Sequence, residues 1–313
     1  SRSFHVHVSV INFSFISTKK FKVKTILYAT DYSENCVAAL KYAHKMAQQM
    51  GTRLIVTHVF DYPTFLGTKI LSELFPQLEK DAFKTHRAKL VQFCEEHLGG
   101  NWENPNLQLE VVENKSAFKG IISVAEEWRA YLIVVGIKGG KALREMIMGS
   151  TTKHLIEKAP CPILSIPLDA SYMPIKTIVY ATDFEEEDVY AIRKVAEMAE
   201  QFDAEIKVVH ISTKKEYKGK IQMEWFKGML HKKISYEKIN FELLNSEDVF
   251  NTLRIYLGDS NADLIVMLER EKGGFLKKWF HRDLVKKMES YGRAPLLSFR
   301  EGNHQLFYLS AVL

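Results

Sequence analysis

The chain repeats itself over a long period. Thr25-Ile26-Leu27-Tyr28-Ala29-Thr30-Asp31 recurs as Thr177-Ile178-Val179-Tyr180-Ala181-Thr182-Asp183, 152 residues on. The same offset aligns Val37 with Val189, Ala39 with Ala191, Met46-Ala47 with Met198-Ala199, and His58 with His210. Further along the offset falls to 132, where Leu132-Ile133-Val134 meets Leu264-Ile265-Val266. The second copy is therefore shorter by 20 residues. Near its end Ala294-Pro295-Leu296-Leu297-Ser298 answers Cys161-Pro162-Ile163-Leu164-Ser165. A repeat this long means two similar domains in tandem, each large enough to bury a core. The expected organisation is an extension over 1–21, a first domain over 22–168, a second over 174–300 and a tail over 301–313.

Within each copy two periodicities alternate. Ile26–Ala29 is a short apolar run, as a buried strand requires. Ser33 is placed to cap the helix that follows. Val37, Leu40, Ala43, Ala47 and Met50 recur at helical spacing, and Gly51 stops them. Leu54–Val59 reads as a second strand. Thr64–His97 is helical with an interruption at Pro76. Leu107–Val112 reads as a third strand, Phe118–Trp128 as a helix, Tyr131–Val135 as a fourth strand, Ser150–Lys158 as a helix and Ile163–Ile166 as a fifth strand. Strand–helix alternation of this kind predicts an α/β fold: two tandem, Rossmann-like domains, each with a five-stranded parallel sheet covered on both faces. Ligands in such sheets sit beyond the carboxyl ends of the strands, where the strand order reverses. Asp31 lies at that end of the first strand. Asp is also a common turn residue, and a turn would repeat at Asp183 just as a site would.

The segment after the fourth strand carries the stronger signal. Gly136-Ile137-Lys138-Gly139 is followed after nine residues by Gly149-Ser150-Thr151. A glycine at 136 leaves room for close approach, and Gly139 and Gly140 permit left-handed backbone. Such a loop can turn its N–H groups toward an anion. Gly149-Ser150-Thr151 then opens a helix whose free N–H groups suit a phosphate. Lys138, Lys141 and Arg144 add positive charge. The plainer alternative is a glycine turn followed by an ordinary cap. The pattern is neither a P-loop nor GxGxxG.

The spacing G-2x-G-9x-G-[S/T], the Ala-Thr-Asp ending of the first strand and the closing Pro-Ile-Leu-Ser-Ile strand resemble the universal stress protein family. The resemblance covers about 22–167 well and 174–300 more weakly. It implies an ATP-binding fold of the adenine-nucleotide α-hydrolase-like type. It also implies roles in the first domain. Asp31, flanked by Ala29 and Thr30, would contact the adenosine. Val59 and Val135 would line the base. Gly136, Gly139, Gly149, Ser150 and Thr151 would lie against ribose and phosphates, and one Mg²⁺ could accompany the phosphates. The closing strands of the two copies are expected to pair within the chain, placing Ile163–Ile166 near Leu296–Phe299. A homodimer of the chain and an unidentified protein partner are further expectations.

The second copy departs from this pattern. Its strand runs into Glu269-Arg270-Glu271 with no glycine, and no Gly-Ser opens the next helix. Acidic side chains facing a phosphate would repel it. Gly273 and Gly274 survive at the wrong spacing. Asp183 is therefore expected to line a pocket that holds no triphosphate.

The remaining candidates read more plainly. Lys214, Lys215, Lys218, Lys220, Lys227, Lys232 and Lys233 form one basic cluster, and Lys277, Lys278, His281 and Arg282 another. Net charge is only +5 and no nucleic-acid module is present, so these read as solvated faces and nucleic acid is disfavoured as a partner. Trp225 and Phe226 read as core by their helical spacing. His5 and His7 lack further ligands, so no metal site is expected. His58 and His210, inside apolar strands, read as hydrogen-bonded core residues. Gln305–Val312 is apolar and strand-like, suited to an edge.

Cys36, Cys94 and Cys161 are odd in number and widely spaced, which argues against a disulfide framework and fits a reducing cytoplasm. No apolar run approaches the roughly 20 residues of a membrane span. Val8–Ser17, broken by Ser and Asn, does not read as a signal peptide. With no positioned general base and no catalytic residue evident, the expected function is ATP binding in the first domain during a stress response, the nucleotide acting as a regulatory or structural ligand. The competing readings are a slow ATPase or adenylate-transferring enzyme, and a nucleotide-free protein-interaction module.

Overall fold

The computed structural model describes residues 24–61, 76–102, 104–137, 149–213, 219–269 and 294–301. The first half contains β1 (Thr25–Ala29), α1 (Glu34–Met50), β2 (Arg53–Phe60), α2 (Pro76–Leu98), β3 (Leu107–Glu113), α3 (Ala117–Glu127), β4 (Leu132–Ile137), α4 (Ser150–Lys158) and β5 (Ile163–Pro167). The second contains β6 (Thr177–Ala181), α5 (Glu186–Phe202), β7 (Glu205–Ser212), α6 (Gly219–Lys233), β8 (Ile239–Asn245), α7 (Val249–Asp259), β9 (Leu264–Glu269) and β10 (Leu296–Arg300).

The strands form one ten-stranded sheet in the order β3-β2-β1-β4-β5-β10-β9-β6-β7-β8. Every pairing within a half is parallel. The seam between halves is antiparallel, with Leu297 opposite Leu164 and Ser298 opposite Ile163. The expected pairing of the closing strands is thus realised inside the chain. Because the seam is antiparallel, the carboxyl ends of the strands point one way in the first half and the opposite way in the second.

The strands are apolar on both faces because helices cover both. Ile26, Tyr28, Leu132 and Val134 point to the face carrying α1 and α2, and Ile178, Tyr180, Leu264 and Val266 to the same face beneath α5 and α6. These residues form one core that runs across the seam. On the other face Leu27, Ala29, Ile133 and Val135 pack under α3 and α4, and Val179, Val209, Ile265 and Met267 under α7. Helix ends follow local chemistry. Gly51 closes α1 at φ 60°, its N–H bonded to the Ala47 and Gln48 carbonyls. Proline has no N–H to lose at a first helical position, and α2 starts at Pro76. Ser33 stands at the N-cap of α1 but makes no side-chain cap bond; its hydroxyl is used elsewhere.

Gly136 lies inside β4, not beyond it. A Cβ there would stand 2.2 Å from the Asn35 carbonyl oxygen and 2.7 Å from its carbon. The glycine therefore lets α1 settle directly on β4 and β5, where it makes its main sheet contacts. Converting Gly136 to alanine should cost about 1–3 kcal/mol by overpacking. Gly149→Ala, at the N-cap of α4 where a Cβ meets no described atom within 4 Å, should cost no more than about 1 kcal/mol. Urea unfolding of the two variants measures the difference.

Candidate functional site

Strand order reverses between β1 and β4. The residues just past the carboxyl end of β1 form a tight turn. The Thr30 N–H donates to the Thr57 carbonyl, 2.9 Å away, which continues the sheet by one bond. The Thr30 hydroxyl accepts from the Tyr32 N–H at 3.0 Å. His58 Nδ1 bonds the Thr30 carbonyl at 2.9 Å. A carbonyl only accepts, so Nδ1 carries the proton. Tyr32 consequently adopts left-handed backbone, φ 66°, and its ring packs on His58 at 4.3 Å.

Between Thr30 and Tyr32, Asp31 is turned outward and exposed. Its Oδ1 accepts from the Ser33 N–H at 3.0 Å, from the Ser33 hydroxyl and from the Cys36 thiol at 3.1 Å. Burial would raise its pKa, but the Ser33 and Cys36 bonds outweigh this and hold it below the ordinary aspartate value. Asp31 therefore presents an ionised carboxylate with one oxygen committed. Sequence reasoning did not single out Ser33 and Cys36 as its partners. The only signal was their spacing, two and five residues on, at the entry to a helix.

The other expected site residues sort by exposure. Ala29 and Thr30 are nearly buried, at 8% and 7%. Val135 is buried on the α3–α4 face, and Val59 packs partly exposed against the same cluster. The α3 helix comes close to Val59 at Gly120, where a Cβ would lie 2.6 Å from Cγ1. Gly149 and Ser150 are exposed and Thr151 half-buried. Among the described residues no side chain caps the N-terminus of α4. Gly139, Gly140, Lys138, Lys141 and Arg144 lie outside the described residues. The structure thus gathers Ala29, Asp31, Val59 and Val135 around the point where strand order reverses, with α4 following β4 in the chain.

The second half repeats the turn and changes its fastening. The Thr182 N–H reaches the Val209 carbonyl, His210 Nδ1 holds the Thr182 carbonyl at 2.7 Å, and Phe184 takes φ 58°. Asp188 stands where the first half has Cys36. Fully buried, it accepts from the Tyr180 hydroxyl, the Thr182 hydroxyl and the Glu185 N–H. The half-buried Asp183 therefore follows a turn clamped from within. Leu268 occupies the place of Gly136. The stretch 270–293, with Gly273, Gly274, Lys277, Lys278, His281 and Arg282, lies outside the described residues. Trp225 is 54% exposed, against the core position that its spacing suggested, while Phe226 is fully buried. The helix is set so that Met223, Phe226 and Leu230 face inward, and Trp225 falls on the opposite side.

Among the described residues no group of three or more His, Cys, Asp or Glu side chains is arranged to hold a metal. No described helix is long and apolar enough to cross a membrane. The three cysteines are free and buried.

Fold and switch point together define a doubly wound α/β protein built twice over. Residues 22–167 and 174–240 match the model of the universal stress protein family. A universal stress protein of Thermus aquaticus is 30% identical over 144 residues, 46% of this chain and 98% of its own length. One from Methanocaldococcus jannaschii is 28% identical over 149 residues, 46% of this chain and 81% of its own. The crystal structure of a universal stress protein from Archaeoglobus fulgidus aligns at TM-score 0.61 and 14% identity, over 90% of this chain and 100% of its own. The chain belongs to the universal stress protein family and carries its fold in tandem.

The histidine that anchors the Thr30 turn also belongs to a ring stack. His86 on α2 lies 5.3 Å from His58 and 4.1 Å from Phe60, and Lys89 sits 4.2 Å from the Tyr32 ring. Burial, opposed by the Thr30 bond, lowers the pKa of His58, with His86 and Lys89 adding repulsion and Asp31 a weak opposing attraction. Burial and Lys89 lower that of His86. Lowered histidine pKa values mean that the unfolded chain takes up protons that the folded chain refuses. Stability is intact above the unfolded value of about 6.5 and falls as pH drops below it. Melting temperature should decline from pH 7 to pH 5.5, and His86→Phe, which keeps the stack and removes a charge, should flatten that decline.

Proposed function

We propose that the first half binds ATP at the carboxyl edge of β1 and β4, and that the nucleotide serves as a regulatory or structural ligand in a stress response. The observation that carries this reading is the pairing of an ionised, outward-facing Asp31 with an uncapped α4 N-terminus in the same half. Asp31 keeps Oδ2 for the adenosine hydroxyls. Val59 and Val135 offer an apolar wall to the base. The N–H groups of Ser150 and Thr151, with the positive end of the helix, suit the phosphates. Gly139 completes the phosphate loop in this reading, and Mg²⁺ accompanies the phosphates. No described side chain is placed as a general base, so turnover is slow or absent.

Two alternatives remain in competition. A slow ATPase or adenylate-transferring enzyme would release ADP or AMP. A nucleotide-free module would use the second half to hold a protein partner. The chain purified under mild conditions should release ATP on denaturation, and added ATP should raise its melting temperature. Gly149→Leu meets open space and costs about 1 kcal/mol or less at a capping position. It should nonetheless abolish ATP binding, as should Asp31→Ala, whereas Asp183→Ala should leave binding intact. Absence of ATP from the purified chain together with no thermal shift would sink the proposal. Rapid ADP release would favour the enzyme.

A further inference from the structure

The two halves differ in how their first helix meets the sheet. In the first half Gly136 lets α1 rest on β4 and β5. In the second half Leu268 stands at the matching position, and α5 makes no comparable contact with β9 or β10. A narrow apolar groove, partly open to solvent, lies between them. Its floor is Leu268, Leu297 and Phe299, and its wall is Tyr190, Ala191 and Met198 of α5.

The matching side of the first half is partly covered by the chain itself. The residues that follow β5 run along α1. Tyr172 packs edge-on against Tyr42 with ring centroids 4.9 Å apart, and its hydroxyl bonds Gln49. Leu168, Ala170 and Tyr172 line the same side of α1 as Ala38 and Lys41. Ala170 and the following Ile175 join the shared core. The wall residues Tyr190 and Lys194 on α5 are the counterparts of Ala38 and Tyr42 on α1. The segment that follows β10 is the counterpart of the one that follows β5. It reads Gly302-Asn303-His304-Gln305-Leu306-Phe307-Tyr308-Leu309-Ser310-Ala311-Val312-Leu313. In the chain it follows Phe299 and Arg300, both of which line the groove. Its apolar run matches an apolar floor.

We propose that residues 302–313 are the occupant of this groove, docking along α5 as residues 168–175 dock along α1. The groove is then an intramolecular receptor, and release of the segment exposes an apolar face at the seam of the two halves.

The test compares the full chain with a variant ending at Glu301. Both are titrated with the dye ANS and with a synthetic peptide of residues 302–313. The shortened chain should bind ANS more strongly and bind the peptide saturably. The full chain should bind the peptide at least ~100-fold more weakly, because its own segment competes at high effective concentration. A peptide with Leu306, Phe307 and Leu309 changed to serine should not bind. A photo-crosslinking residue at position 190 of the full chain should label residues 302–313 of the same chain. Equal peptide binding by both chains, or no binding by either, overturns the proposal. So does crosslinking to a second copy, or ANS binding by the full chain that matches the shortened one. The peptide arm holds even where the deletion lowers stability, because added peptide should then restore the melting temperature.

Discussion

The antiparallel pairing of β5 with β10 is the contact on which the rest depends. Each half ends on a strand that would otherwise be an open edge, and an open edge invites pairing with other chains. Here each edge closes the other. The joined strands carry one continuous core from Ile26 to Phe241 on the α1–α5 face. Other ties cross the same seam. Arg300 Nη1 donates to the Glu157 carbonyl at the end of α4, 2.7 Å away. Lys24, its pKa lowered by burial against the pull of Glu197, reaches from the start of β1 to α5.

Within that frame the two copies hold the same turn by different means. Both hang it from a histidine on the second strand and a threonine hydroxyl. The first leaves its clamp at the surface, where Asp31 gathers Ser33 and Cys36. The second buries a carboxylate, Asp188, inside the turn and satisfies it with three donors. A buried carboxyl group without partners would be costly, and Asp188 ties Tyr180, Thr182 and Glu185 into one arrangement. The turn fastened from within belongs to the half in which Leu268 stands in place of Gly136.

Most of the fold was legible because its signals are local. The period of the apolar residues in Val37–Met50 and the stop at Gly51 set α1 to within a few residues. The repeat at an offset of 152 predicted the strands of the second half from those of the first, though not that all would join in one sheet. The seam was legible through the matching closing strands. The site was legible in part. Asp31 and the Ser150–Lys158 helix could be placed by pattern, but not the partners of Asp31, which depend on how α1 enters. Gly136 was read as room for a ligand, yet its Cβ position is filled by the Asn35 backbone. A glycine in sequence does not say whose approach it permits. Trp225 misled for a similar reason: helical spacing fixes which residues share a face, and not which face turns inward.

Opposed strand direction at the seam has one further result. The mouths at Asp31 and Asp183 open on opposite edges of the same sheet. Nothing held at one mouth obstructs access to the other, and neither can be read by touching its counterpart. Among the described residues the two mouths are joined through the packed strands and the shared core beneath α1 and α5. A chain assembled this way is two-ended, with its two turns facing away from each other across one sheet.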